Sequence, residues 1–182
     1  MREKSDIVIK DIMNKPAFNK QMEFRKSGRY WLNALEKMPY KSTEIEPVRF
    51  ERSIERDFVI LLINSSLFYL YWSTYGDSRH FPLSLLEKFP FPGSRELEKN
   101  EQKMERLKTK YSTCLISSFT PIRGTRGEFK TGLCKDIIDE IDEFLGQIYG
   151  LGADEVVYIK NFDASLLRVY DSSESAGQED DD

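Results

Sequence analysis

Three stretches hold residues able to do chemistry. The loop Ser73-Thr-Tyr-Gly-Asp-Ser-Arg-His-Phe-Pro82 carries Tyr75, Arg79 and the chain's single histidine, His80. A lone histidine with no Cys, Asp or second His at ligand spacing is weak material for a metal site or for general acid–base catalysis. A loop on a rigid base can instead present it for recognition.

The second stretch, Lys20 to Asn33, interleaves Lys20, Arg25, Lys26 and Arg29 with Phe24, Tyr30 and Trp31 around a Ser-Gly turn. Cations that reach phosphates, beside aromatics that stack, are the chemistry of nucleic-acid contact. A β-hairpin with a charged outer face and core aromatics has the same pattern. The third stretch runs from Phe119 to Gly132, where Gly124, Gly127 and Gly132 loosen a segment carrying Arg123, Arg126 and Lys130. It can follow a phosphate backbone or serve as a plain connector, and it is not a phosphate-binding loop with a catalytic lysine.

These loops need elements to hold them. From Phe58 to Trp72, twelve of fifteen residues are aliphatic or aromatic, and the exceptions Asn64, Ser65 and Ser66 sit together. The run is shorter than the ~20 residues of a membrane span, and its apolar residues go all the way round. It reads as a buried central helix opened by Ser53 as cap, with Glu55 and Asp57 in the first turn. The polar notch must be satisfied, so Asn64 is expected to pin a neighbouring loop or strand while the serines bond back to carbonyls. Before this helix, Pro39 and Pro47 bound two short extended segments. At the N-terminus, Asp6 to Met13 suits a short helix and Ile7-Val8-Ile9 equally suits a strand.

Beyond Gly93 the composition changes. Leu97, Met104, Leu107, Tyr111, Cys114 and Leu115 make one apolar seam on a charged helix, and Ile137, Ile138, Ile141, Phe144, Leu145 and Ile148 make another that Gly150 stops. The two are expected to pair antiparallel.

The formal charge is −4, yet six of the 31 acids lie between Asp171 and Asp182, and without them 25 acids face 27 bases. A body so balanced permits DNA binding through local patches without demanding it. The tail itself is expected to be disordered. Cys114 and Cys134 lack CxxC spacing, so zinc is not expected, a disulfide framework is not required, and both should pack as small apolar groups. With no apolar leader after Met1 the expected location is the cytoplasm, with no membrane.

The string from Leu61 to Pro92 resembles a segment late in adenine-N6 DNA methyltransferases of restriction–modification systems, namely the TaqI-like specificity region of fused type IIG-like enzymes. Leu61-Leu62-Ile63-Asn64-Ser65-Ser66-Leu67-Phe68-Tyr69 is similar to their leucine-rich helix with its Asn-Ser pair, Gly76-Asp77-Ser78-Arg79-His80 to the following loop, and Glu87-Lys88-Phe89-Pro90 to the exit. Upstream, Arg29-Tyr30-Trp31, Pro39-Tyr40, Ser42-Thr43 and Val48-Arg49-Phe50 fit the same order. Downstream, Ile138-Asp139-Glu140-Ile141-Asp142, Tyr149-Gly150-Leu151, Asp154-Glu155 and Asn161-Phe162-Asp163 do so too, with Arg168 at a looser spacing. The resemblance spans roughly Arg29 to Asp163 and concerns the non-catalytic end of those enzymes. The Asn/Asp-Pro-Pro-aromatic signature, the Gly-rich turn for S-adenosylmethionine and a PD-(D/E)xK nuclease pattern are all missing.

The resulting expectation is an α+β chain with a small mixed β-sheet packed on a buried central helix. An antiparallel helical pair and a disordered acidic tail follow, with boundaries at 1–93, 94–165 and 166–182. No catalytic or metal-binding residue is expected. The resemblance implies a module that binds double-stranded DNA for a methyltransferase domain or subunit outside this chain, to which S-adenosylmethionine belongs. The residues expected at DNA are Arg25, Lys26, Arg29, Tyr30, Arg79, His80, Arg123, Arg126 and Lys130. The alternative is a helical protein-interaction scaffold that does not touch DNA.

Overall fold

In a computed structural model, residues 7–27, 31–77, 79–122 and 126–162 are described, without the side chain of Arg126. The elements in order are β1 (Lys20–Arg25), β2 (Ala34–Leu35), β3 (Ile45–Phe50), α1 (Ser53–Ile63), α2 (Ser66–Tyr75), α3 (Leu83–Glu87), α4 (Ser94–Glu98), α5 (Glu101–Ser117), β4 (Phe119–Ile122), β5 (Arg126–Phe129), α6 (Lys135–Tyr149) and α7 (Ala153–Asn161). The class is α+β. The expected acidic tail lies outside the described residues.

The first sheet has the order β2-β1-β3 and is antiparallel throughout rather than mixed. Parallel neighbours would need a crossover of a dozen or more residues, usually a helix, and the described residues of these connections contain none. Met22 and Phe24 of β1 and Val48 and Phe50 of β3 point into the core at alternate positions. Pro47 falls inside β3, opposite Glu23, rather than ahead of it. As an edge strand, β3 tolerates a residue that cannot donate to the ladder. At the N-terminus both sequence readings are met in part, because Val8 bridges Pro90 like a strand and Ile9–Ile12 form a single 3-10 turn.

The expected single central helix is two helices, α1 and α2, bent by 68° at the polar notch. Asn64 causes the break by turning its amide sideways into the sheet. Its Oδ1 accepts from Ala34 N at 3.1 Å, and its Nδ2 donates to Ala34 O at 2.7 Å and to Ile60 O at 2.8 Å. Ser65 then caps α2, accepting from Phe68 N at 3.0 Å while donating to Leu62 O at 2.6 Å. The start of α1 also differs from expectation. Ser53 is the first helical residue, and Arg52 holds the cap position, its N–H donating to the Glu55 carboxylate at 3.3 Å. Among the described residues no single helix is long and apolar enough to cross a membrane.

The helical pair forms between α5 and α6, but the expected helix from Ser94 is interrupted at Lys99 and Asn100, so Leu97 lies on the short α4, which packs on α1. Met104, Leu107, Tyr111 and Leu115 of α5 and Ile138, Ile141, Phe144, Leu145 and Ile148 of α6 are buried in the same core as α1 and the sheet. The pairs Lys103–Gln147, Lys110–Glu140 and Cys114–Cys134 run in opposite directions along α5 and α6, so the helices are antiparallel. Gly150 ends α6 with φ +69°, where a side chain would be strained. The expectation of two separate thiols is overturned: Cys114 and Cys134 form a disulfide, their Cα atoms 6.0 Å apart. The chain between them returns as a hairpin and brings the two ends together, which the spacing of the cysteines alone does not convey. Lys108 and Arg56, both meeting Glu36 and Asp57, tie α5 to α1 and to the loop after β2.

Candidate nucleic-acid interface

Because Met22 and Phe24 anchor β1 from below, the strand delivers Arg25, Lys26 and Ser27 to the sheet margin, where all three are half-buried. Lys26 donates its backbone N–H to Glu44 O at 2.8 Å, and its ammonium faces Glu46 on β3 at 3.7 Å. The loop after α2 docks on this margin. Ser27 and His80 form an antiparallel bridge, Phe81 N donates to Lys26 O at 2.6 Å, and the Trp72 indole donates to His80 O at 2.8 Å. The backbone of His80 is thus fastened from two sides while its side chain stays 72% exposed.

Asp77 completes that loop. One carboxylate oxygen accepts from Arg79 N at 2.9 Å and from His80 N at 2.6 Å, and the other lies 2.7 Å from the His80 Nδ1. The His80 backbone N–H, then its ring, then the Arg79 N–H hold this carboxyl well below the usual carboxylate range. An acidic partner for the histidine was set aside at the sequence level, although Asp77 stands only three residues away.

The hairpin of β4 and β5, paired Phe119 to Phe129 through Ile122 to Arg126, packs its aromatic rings on Tyr40 in the loop after β2. Tyr40 stacks on Phe119 with centroids 5.5 Å apart and planes at 6°, and it meets Phe129 at 6.3 Å. The Phe119 ring lies over Gly127, close enough that a Cβ there would fall 2.0 Å from it. Thr131 donates to Asn33 Oδ1 at 3.2 Å, and Asn33 O accepts from Arg25 N at 3.1 Å, so two hydrogen bonds lead from the hairpin to β1. Burial pushes the Tyr40 phenol up, against the charge of Arg25, which places that guanidinium within electrostatic reach of the aromatic cluster.

Of the residues expected at DNA, Arg25, Lys26, Arg79 and His80 therefore gather around the end of β1. Lys130 is exposed at the exit of the hairpin, where its N–H donates to Ser118 O at 3.4 Å. Arg126 begins β5. Arg29, Tyr30 and Arg123 lie outside the described residues. Phe24 and Trp31 follow the hairpin alternative instead: both are buried, and Trp31 stacks on Tyr69 at 4.7 Å with planes at 13°. Tyr40, Phe119 and Phe129 were not among the residues expected at DNA, because only the return of the hairpin brings residues some eighty positions apart together.

Chemically the margin offers cations, backbone-fastened side chains and half-buried aromatic rings. The described strands are antiparallel, and none leads through a Gly-rich turn into a helix of the kind that cradles a nucleotide cofactor. Compared with family models, curated proteins and solved structures, the chain matches none.

Proposed function

We propose that the chain is a non-catalytic DNA target-recognition module of a restriction–modification adenine-N6 DNA methyltransferase. It binds duplex DNA in the cytoplasm for a methyltransferase domain or subunit outside this sequence, and that partner holds S-adenosylmethionine. The observation that carries the reading is the meeting of two basic segments, distant in sequence, around the end of β1: Arg25 and Lys26, and the Arg79-His80 loop. The Leu61–Pro92 resemblance supports it further.

In this reading Arg25, Lys26, Arg79 and Lys130 position the duplex through phosphates, while His80 is placed near base edges. The protein partner supplies the reactive chemistry and takes the target adenine out of the stack. Fluorescence anisotropy on duplex DNA at low and physiological salt, with and without a methyltransferase chain, tests the reading. Affinity should fall steeply with salt, and Arg25→Gln with Lys26→Gln should weaken all duplexes alike and flatten the salt slope. Absence of salt-sensitive duplex binding in both conditions would refute it.

A further inference from the structure

The Asp77–His80 pair fixes more than the position of the imidazole. Asp77 Oδ1 is occupied by two backbone N–H donors, and Oδ2 sits 2.7 Å from His80 Nδ1. An ionised carboxylate only accepts, so a neutral His80 ring must place its proton on Nδ1. That leaves Nε2 as a bare lone pair on a ring that is 72% exposed and whose backbone is held by Lys26 and Trp72. Among the described residues the other charges at this margin are Arg79 on the same loop and, across the bridge, Arg25 and Lys26, the latter turned toward Glu46. A bare nitrogen cannot bond a phosphate oxygen, since both are acceptors. It needs a donor.

Building on the DNA-binding reading above, we propose that His80 is a specificity-determining residue whose Nε2 accepts a hydrogen bond from an exocyclic amino group on a major-groove base edge. Adenine N6 and cytosine N4 are the donors of that class, whereas guanine and thymine present acceptors at the corresponding edge. Asp77 sets the polarity of the contact. In Asp77→Asn, the side-chain oxygen keeps the two backbone bonds and the amide nitrogen faces the ring, where it donates to Nδ1. The proton then moves to Nε2, and the contact favours guanine O6 or N7, or thymine O4.

His80 is the only histidine, so long-range 1H–15N NMR of the full chain reports its tautomer without ambiguity. At about pH 8.5, above the ordinary imidazole range, the parent should show the Nδ1–H form and Asp77→Asn the Nε2–H form. Selection from a randomised duplex pool, followed by titration of duplexes differing at the selected position, gives the second reading. The parent should favour an adenine or cytosine there by roughly three- to tenfold, the worth of one hydrogen bond; Asp77→Asn should abolish or reverse the preference. If that variant loosens the turn, His80→Ala still decides, because a loss confined to duplexes with adenine or cytosine at the selected strand position supports the proposal. A parent in the Nε2–H form overturns it. So does a His80→Ala variant that weakens all duplexes by one factor, which makes His80 a phosphate contact and leaves the DNA-binding reading standing. Absence of duplex binding removes both.

Discussion

Replacing Asp142 by asparagine should stabilise the fold at neutral pH and change little in acid. Asp142 sits on the buried face of α6, 2% exposed, against the start of α2. Its Oδ1 accepts from Leu67 N at 3.2 Å, while its Oδ2 and the Ser66 hydroxyl beside it complete no hydrogen bond. Burial pushes this carboxyl up to about 6, more than the nearby Ser66 hydroxyl dipole (short of a well-formed hydrogen bond), Leu67 N and the Lys135 charge pull it down, and Asp139 adds to the rise. The shift from the ordinary 3.8 corresponds to roughly 3 kcal/mol. A folded value above the unfolded one means that this group's stabilisation is complete below about pH 4 and is lost as pH rises through about 6. Asparagine keeps an oxygen for Leu67 N, offers a donor to Ser66 and carries no charge to desolvate, but it gives up the attraction of Lys135. The expected gain is about 1–3 kcal/mol at pH ~8 and close to zero at pH ~4. Urea unfolding followed by fluorescence of the buried Trp31 and Trp72, for parent and variant across that range, measures it. A variant less stable than the parent at pH ~8, or a difference independent of pH, would refute the reasoning.

Asn64→Ala should cost about 2–4 kcal/mol in the same unfolding assay, because it leaves the buried N–H and C=O of Ala34 without partners. Cys114→Ser with Cys134→Ser should lower stability by about 3 kcal/mol under oxidising conditions, the entropy of closing a loop across a separation of 20 residues, and should make reductant without effect. Gly127→Ala should push the Phe119 ring off Tyr40. Loss of the Tyr40 ring-current shifts in NMR, with the core signals of α1 unchanged, is the expected outcome. Ring-current shifts that persist would show that the ring adapts in place.

Much of the fold was readable locally. The seams of α5 and α6 recur at helical spacing over about three turns, and an apolar stripe of that period specifies a helix buried along one face. Gly150 marks a stop because its backbone needs a positive φ. The site was legible only by segment. Arg25, Lys26, Arg79 and His80 stand out as residue types, but nothing in their spacing says that Ser27 bridges His80. Asp77 was within reach, since it stands three positions before the histidine and short acidic side chains in turns bond their neighbours.

What the sequence determined by itself is whatever depends on neighbours within a turn or two: helix seams, alternation in β1 and β3, and a polar notch that must find partners. Tertiary structure decided who those partners are. Asn64 breaks the apolar run into α1 and α2 because Ala34, thirty positions earlier, offers both backbone groups to its amide. Cys114 meets Cys134 because the hairpin between them closes, and Tyr40 meets Phe119 for the same reason. Periodicity encodes which face is apolar, but contacts across long loops follow from the packing of whole elements, which no local pattern of residues carries.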